Sequence, residues 1–301
     1  MSNRPPHICV CICTYKRQQL LRRLLAELGN QKTDELFTFS LVVVDNDLLA
    51  SSRSVVDEFV SQSSIPATYC VEPRQNIALA RNKAIASACG DFVAFIDDDE
   101  TPTNSWLLTL FNALHHYQVD GVLGPVKPQF DVTPPAWVVQ GKFYDRPSYP
   151  TGFVIDWRKG RTGNVLLKRS LFEGLNPVFR PEFRTGEDQD LFRRLIARGG
   201  VFIWCHEAMA YEAVPATRWS RKFMLKRALL RGATSRLHPS FGAREAAKSI
   251  LAVGIYAIAL PVAYALGKNR YMAVLVRFCD HAGRVLALLG VNPIREPYVT
   301  E

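Results

Sequence analysis

The stretch Asp91-Phe92-Val93-Ala94-Phe95-Ile96-Asp97-Asp98-Asp99-Glu100-Thr101-Pro102 decides how the rest of the chain is read. Phe92 to Ile96 is an unbroken apolar run, which fits a strand covered on both faces in a parallel sheet. It stops on consecutive acids, Asp97 to Glu100. Carboxylates crowded at one strand end repel each other unless a positive group lies among them. A divalent cation with oxygen ligands relieves that repulsion and also holds a diphosphate. In open α/β sheets, ligands bind outside the carboxyl ends of strands, where this cluster falls. The bland alternative is a solvated acidic turn closed by Pro102.

Toward the N-terminus, Ile8 to Thr14 reads as a strand, and Leu20, Leu21, Leu24, Leu25 and Leu28 repeat with a helical period until Gly29-Asn30. Leu41 to Val44 is a second apolar strand, ending at Asp45-Asn46-Asp47. A helix from about Ser52 to Val60, a short strand from Ala67 to Val71 and a turn at Pro73 to Asn76 follow. Ile77 to Ala88 is a helix carrying Arg81, and Gly90 leads into the organising strand. Strands and helices alternate to about residue 125, the signature of a doubly wound α/β layer.

Toward the C-terminus, prolines from Pro125 to Pro150 break any long element between Gly124 and Thr151, leaving a loop-rich stretch of the kind that carries function. Arg161-Thr162-Gly163-Asn164 precedes the apolar run Val165 to Leu167. Thr185-Gly186-Glu187-Asp188 opens a helix with Leu191, Phe192, Leu195 and Ile196 on one face, Thr185 being the expected N-cap. Val201 to Trp204 reads as one more strand. From Arg218 to Arg236 the chain is strongly basic, and Ile250 to Leu266 is apolar between flanking basic residues. That run, weakened by Pro261, spans, inserts shallowly or packs on the protein; the sequence leaves these open. Tyr271 to Leu289 is an amphipathic helix.

The chain has 301 residues, an apolar fraction of 48% and a net charge of +9. Such a composition supports a sizeable core and argues against disorder, and the basic excess favours anionic partners. The first residues lack the apolar segment of a secretory signal, so the 7 cysteines are expected as reduced thiols. Cys9, Cys11 and Cys13 alternate on one strand face and read as small buried side chains.

Acids therefore recur at Asp45 with Asp47, at Asp97 to Asp99, and at Glu187 with Asp188. Glu187 and Asp188 in a first helical turn serve the helix dipole, or hold a general base facing a metal-bound phosphate. In this order the sites resemble family 2 inverting glycosyltransferases, of the kind that build bacterial exopolysaccharides and cell-surface glycans. The resemblance covers residues 8 to about 236. It rests on Cys13-Thr14-Tyr15-Lys16-Arg17, Val44-Asp45-Asn46-Asp47, Asn76-Ile77-Ala78-Leu79-Ala80-Arg81-Asn82, Phe95-Ile96-Asp97-Asp98-Asp99, Gly186-Glu187-Asp188 and Arg218-Trp219. The sequence departs from the family pattern at Ile77 or Ala78, where a glycine is common, and at Pro215, where processive synthases have a glutamine.

The resemblance implies an A-type glycosyltransferase fold, a mostly parallel Rossmann-like sheet with flanking helices, over residues 1–214. A basic and apolar helical tail, expected to associate with a membrane, occupies residues 215–301. It further implies a nucleoside-diphosphate sugar donor, UDP-sugar favoured, bound by Thr14, Tyr15, Arg17, Asp45, Asp47, Asn76, Arg81, Asp97, Asp98 and Arg218. Mg²⁺ or Mn²⁺ would be held by Asp99, with Asp97 on the metal or the ribose; His206 or Glu212 is a possible third ligand. Gly163, Asn164 and Trp219 would face the sugars. Asp188, beside Glu187, would be the catalytic base. The implied partners are a glycan or lipid-linked acceptor and an anionic membrane surface at its cytoplasmic face, with no nucleic acid. A glycoside hydrolase needs two carboxylates but no metal cluster. A nucleotidyltransferase would need a glycine-rich basic loop at the N-terminus. A non-enzymatic membrane or RNA binder leaves the acid pairs unexplained.

Overall fold

The computed structural model of the chain describes residues 4–183, 185–236 and 241–294. Residues 237–240 and 295–301 of the expected tail lie outside them. The chain forms two compact units: Met1–Pro128, Arg146–Pro181 and Glu187–Ala213 make the first, and Gln129–Asp145, Glu182–Gly186 and Val214–Glu301 the second.

In the first unit the elements are β1 (His7–Thr14), α1 (Gln18–Gly29), β2 (Thr38–Asp45), α2 (Arg53–Gln62), β3 (Ala67–Val71), α3 (Ile77–Ser87), β4 (Phe92–Phe95), β5 (Glu100–Pro102), α4 (Trp106–Tyr117), β6 (Gly121–Leu123) and β7 (Val126–Gln129), whose last residue falls in the second unit. After α5 (Ala136–Gln140) of the second unit come β8 (Val165–Lys168), α6 (Glu187–Ala197), β9 (Phe202–Trp204) and β10 (Ala210–Ala213). The main sheet is seven-stranded in the order β3-β2-β1-β4-β8-β6-β9, and a three-stranded sheet has the order β5-β10-β7. β1, β2, β3 and β4 run parallel. β8 is antiparallel to both β4 and β6, so the organising strand has one parallel and one antiparallel neighbour.

The unbroken apolar run is explained by two cores. Phe92, Ala94 and Ile96 face the side covered by Leu21, Leu24, Leu25 and Leu28 of α1 and by Trp106, Leu107 and Leu110 of α4. Val93 and Phe95 face the other side, with Ala78, Ala80 and Ala84 of α3 and Leu191, Phe192 and Leu195 of α6. A strand between two helix layers has no face to give to water. Cys9, Cys11 and Cys13 share that second face, where small side chains let the alanine face of α3 approach the sheet. Gly90, with φ +101°, makes the turn into β4; a Cβ there would stand 2.6 Å from the His7 carbonyl oxygen.

The second unit holds α5, α7 (Arg221–Ser235), α8 (Ala243–Ala265) and α9 (Lys268–Leu288). α8 begins seven residues before the apolar run read from the sequence and continues through Pro261. The proline-rich stretch contains only the short β7 and α5, as broken backbone requires.

Candidate active site

The parallel register brings Thr14 at the end of β1 opposite Asp45 at the end of β2, while β4 runs out beside β1 into Ile96 and Asp97. The loops after these strands therefore share one edge of the sheet. There Thr14 Oγ1 donates to Asp98 Oδ2 at 2.8 Å, and Arg17 Nη1 lies 3.0 Å from Asp98 Oδ1 and 3.2 Å from Asp99 Oδ2. One residue of the first loop thus neutralises two acids of the third. Burial still pushes the Asp98 carboxyl up to about 7, against the pull of Arg17. Tyr15 sits in the same loop, with Lys16 at φ +55° and its ammonium 5.2 Å from the Tyr15 ring centre.

The second loop divides labour between its two acids. Asp45 is fully buried and accepts from Asp47 N, Ser52 N and Tyr69 Oη at 3.0, 2.7 and 2.8 Å. Its carboxylate holds the loop and has little left for a ligand. Asp47 Oδ1 accepts from Leu49 N at 3.3 Å, but its Oδ2 is buried without a hydrogen-bond partner. A buried acceptor left unpaired is costly, so Asp47, unlike Asp45, keeps an oxygen that lacks a donor. The Asn46 amide nitrogen reaches Glu72 O and Arg74 O, and its oxygen accepts from Asn76 N at 2.8 Å, stapling this loop to the start of α3. Asn76 itself is the N-cap of α3, accepting from Ala78 N and Leu79 N at 2.9 and 3.2 Å and donating to Pro181 O at 2.9 Å. Its expected place as a pocket-lining contact is revised: the side chain serves the helix start and the segment after Phe179.

Arg81, one turn into α3, is buried and bridges two acidic sites. One guanidinium nitrogen pairs with Glu187 Oε1 and the other lies 3.3 Å from Asp97 Oδ1, above the Phe179 ring at 5.6 Å. Burial disfavours its charge, but Glu187 and Asp97 outweigh that and raise its pKa. Glu187 is buried and pushed up to about 7 by that burial, with Arg81 opposing; the half-buried Asp188 is raised for the same reason. Asp188 Oδ1 accepts from Gln189 N at 2.8 Å. Thr185 is not the cap: its hydroxyl lies 2.6 Å from that of Thr234, and Gly186 at φ +84° precedes the helix. α6 is instead anchored by the fully buried Asp190, which takes Arg193 at 3.0 Å, Arg194 at 2.9 Å and Arg180 at 3.6 Å.

Of the pair Glu100 and Arg146, the first belongs to the acid run read from the sequence and the second is not legible locally. Glu100 is buried, its Oε2 accepts from Asp97 N at 3.2 Å, and its Oε1 has no hydrogen-bond partner. Arg146, from the proline-rich stretch, stands 3.8 Å from Glu100 Oε1 and pairs with Glu212. Burial, then Asp97, holds the Glu100 carboxyl well above the usual range. No periodicity or motif marks Arg146; only the fold joins it to acids 46 and 66 positions away. Gly163 backs the same cluster, since a Cβ there would lie 2.7 Å from Glu100 Oε1 and 3.0 Å from Asp97 Oδ2. Asn164 is corrected as a sugar contact. It is fully buried at φ +59°, accepts from Trp106 Nε1 at 2.7 Å and donates to Pro125 O and Ala208 O at 2.8 and 2.7 Å. Its amide is scaffold.

Among the described residues, no three carboxylate, imidazole or thiol groups form a ready cation cage. Asp97 and Asp99 remain the hard oxygen donors that could hold a divalent cation. Glu100 Oε1, in the same cluster and without a hydrogen-bond partner, is a further oxygen acceptor. Magnesium-type ions need only one or two protein carboxylates when substrate phosphates complete the shell, so the residues fit such an ion. Of the two further candidates, Glu212 is tied to the cluster through Arg146, whereas the His206 ring is exposed and lies 3.0 Å from Ser148 Oγ. Arg218 and Trp219 belong to the second unit. Both are buried in a turn at Ala216–Trp219, where Tyr144 Oη donates to Arg218 O at 2.6 Å and Trp219 packs on Phe130.

Residues 9–173 match the model of the family described as glycosyl transferase family 2. The chain is 32% identical over 307 residues to the succinoglycan biosynthesis protein ExoM of Rhizobium meliloti (strain 1021), covering 98% of this chain and 97% of that one. It is 25% identical over 245 residues to the chondroitin synthase of Pasteurella multocida, covering 71% of this chain and 25% of that one. The fold matches the mannosyltransferase PcManGT from Pyrobaculum calidifontis, solved with GDP-Man and Mn²⁺, with TM-score 0.63 and 20% identity over 96% of this chain and 88% of that one. It also matches S. aureus TarS 1-349 solved with UDP, with TM-score 0.55 and 16% identity over 93% of this chain and 90% of that one. The mostly parallel sheet with helices on both faces is thus the A-type glycosyltransferase fold, and the chain belongs to glycosyl transferase family 2 and is a glycosyltransferase.

Proposed function

We propose that the protein moves a sugar from a nucleoside-diphosphate donor to a hydroxyl of a glycan or lipid-linked acceptor in exopolysaccharide assembly, with inversion at the anomeric carbon. The observation that carries this reading is the Arg81 bridge. It ties the acids after β4 to the acids that open α6, so the group that would receive a proton stands near the group that would hold a diphosphate. Relatives and neighbours support the donor class: solved A-fold structures carry UDP, UDP-GlcNAc and GDP-Man, and the whole-chain relative is named for succinoglycan biosynthesis. A UDP-sugar is the favoured donor.

In this reading Asp47 accepts from the base or ribose of the donor, and Arg17 and Arg81 bring positive charge to the diphosphate. Asp99 and Asp97 would hold a Mg²⁺ or Mn²⁺ ion, which when bound neutralises charge on the leaving diphosphate. Asp188 takes the proton of the acceptor hydroxyl. The acceptor oxygen forms a bond to the anomeric carbon from the face opposite the diphosphate, and the bond to the diphosphate oxygen breaks with its electron pair leaving on that oxygen. No enzyme nucleophile is required. Glu187, clamped by Arg81, positions the start of α6 and so the base. The basic tail and α8 support work at the cytoplasmic face of a membrane, where a lipid-linked acceptor and a cytosolic sugar nucleotide meet.

The test is a panel of sugar nucleotides incubated with Mn²⁺ or Mg²⁺ and a lipid-linked acceptor, with the anomeric configuration of the product read by NMR. The expected result is metal-dependent release of one nucleoside diphosphate and an inverted linkage. A product of retained configuration, or full transfer in chelator, would overturn the mechanism.

A further inference from the structure

We infer that α8 lies flat in the interfacial layer of an anionic lipid surface and does not cross it. This deepens the reading above that the enzyme works at a membrane, and it rests on that reading. α8 has 23 residues, so its length of about 35 Å would let it span or lie flat equally well. What decides is which side of it is occupied. Ser249, Tyr256, Leu260 and Ala263 face α9: Ser249 is fully buried, Tyr256 stacks on His281 with ring centres 5.7 Å apart, and Tyr264 meets Tyr271 at 5.5 Å near the α8–α9 turn. The opposite side carries Leu251, Ile255, Ile258, Val262 and Leu266. They stand at the spacing of a single helical stripe and are 54% to 79% exposed. No charged residue occurs between Lys248 and Lys268. An uncharged apolar stripe of that length on a water-facing helix demands a partner.

α9 makes a span unfavourable. It runs along α8 and carries Arg277, Asp280, His281 and Arg284 in its middle. Asp280 pairs with Arg231 of α7 at 2.8 Å and with Arg284 at 3.0 Å. α7 and α9 cannot separate easily, because they cross at glycines: a Cβ on Gly232 would lie 2.0 Å from Asp280 O, and one on Gly283 would lie 2.3 Å from Leu229 O. Taking α8 through a bilayer in this packing would carry an ionic layer into hydrocarbon. Laid flat, the stripe enters the headgroup–acyl boundary by about 5–10 Å while α9 and α7 stay in water.

Charge selects the occupant. Arg244, Glu245 and Lys248 precede the stripe, Lys248 pairing with Glu245 at 2.8 Å, and Lys268 and Arg270 follow it, so both ends keep a net positive charge. No acid occurs between Glu212 and Glu245, a stretch that includes all of α7. A second copy packed antiparallel on the stripe would set these basic ends against each other, whereas anionic headgroups complement them.

The full-length protein is floated with phosphatidylcholine vesicles, with and without phosphatidylglycerol. We expect flotation with the anionic vesicles, reduced at least tenfold in Ile255→Glu/Ile258→Glu, whose circular dichroism matches the parent. Failure to float with either vesicle overturns the membrane reading and this inference together; a dimer dispersed by Ile258→Glu would then identify a self-association face. A second arm reads the mode. Arg244→Cys and Arg270→Cys, each in a Cys89→Ser background that removes the exposed cysteine, are exposed in sealed cytoplasmic-side-out vesicles to an impermeant maleimide. Both sites should label without lysis. If one labels only after lysis, α8 spans: the membrane reading stands and the flat orientation falls.

Discussion

Arg81 Nη2 stands 3.3 Å from Asp97 Oδ1, while the other arm of the same guanidinium pairs with Glu187. A planar fork can hold two carboxylates at fixed separation; an ammonium cannot. Arg81→Lys is therefore expected to keep the fold but lose about 10- to 100-fold in turnover, the size of a lost supporting contact. Arg81→Ala leaves Glu187 buried without its cation and should cost about 3–5 kcal/mol in denaturant unfolding. Parent-like turnover in Arg81→Lys would show that the bridge does not position the site.

Asp188→Asn is expected to retain nucleotide affinity and lose turnover by about 10²- to 10⁴-fold. The carboxyl is raised above its ordinary range by burial, so the acid limb of the parent's rate profile should lie above the range of an ordinary aspartate. That limb should vanish in the variant's residual activity. Turnover within a few-fold of the parent would return Asp188 to a helix-start role.

Glu187 offers a stability test with a definite sign. Its folded pKa, about 7, is above the ordinary 4.5, so the folded state prefers the protonated form. Its favourable contribution is complete below about 4.5 and declines as pH rises toward 7. Melting temperature followed across that range should fall more steeply in the parent than in Glu187→Gln. Parallel curves would mean that burial does not raise this carboxyl.

Asp99→Ala should abolish transfer and metal-dependent nucleotide binding together, since it removes the carboxylate assigned as the main ligand of the ion. Isothermal titration with a nucleoside diphosphate, with and without Mn²⁺, checks it. Unchanged metal dependence would remove Asp99 from the metal site.

Asn164→Ala leaves the Trp106 indole N–H and the Pro125 and Ala208 carbonyls without their partner. Each orphaned group costs about 1–3 kcal/mol, so a stability loss of about 3 kcal/mol or more is expected, with KM for donor unchanged in the folded fraction. A raised KM without loss of stability would restore a sugar-contact role.

Much of the fold was legible because it rests on local repetition. The leucines of α1, the run Phe92 to Ile96 and the alternating cysteines of β1 each bear the periodicity of the surface they cover. The acids were legible because charge at the end of an apolar strand has few structural uses. Roles within each acid pair were not. Asp45 and Asp47 are chemically alike, and only the turn of the backbone gives one of them three donors and leaves the other an unpartnered oxygen. Thr185 and Asn164 illustrate the same limit: a hydroxyl before a helix and an amide beside a glycine suit several partners.

By itself, then, the sequence determined the α/β layering, the strand-end acids and the basic apolar tail, since each depends on residues close together in the chain. The tertiary structure alone decided that β8 runs antiparallel beside β4, that Arg146 meets Glu100, and that Arg81 reaches Glu187, 106 positions away, while also holding Asp97. It also decided which side of α8 is left open. Such pairings depend on crossovers that close long loops, and loop closure leaves no mark on the local pattern of residues.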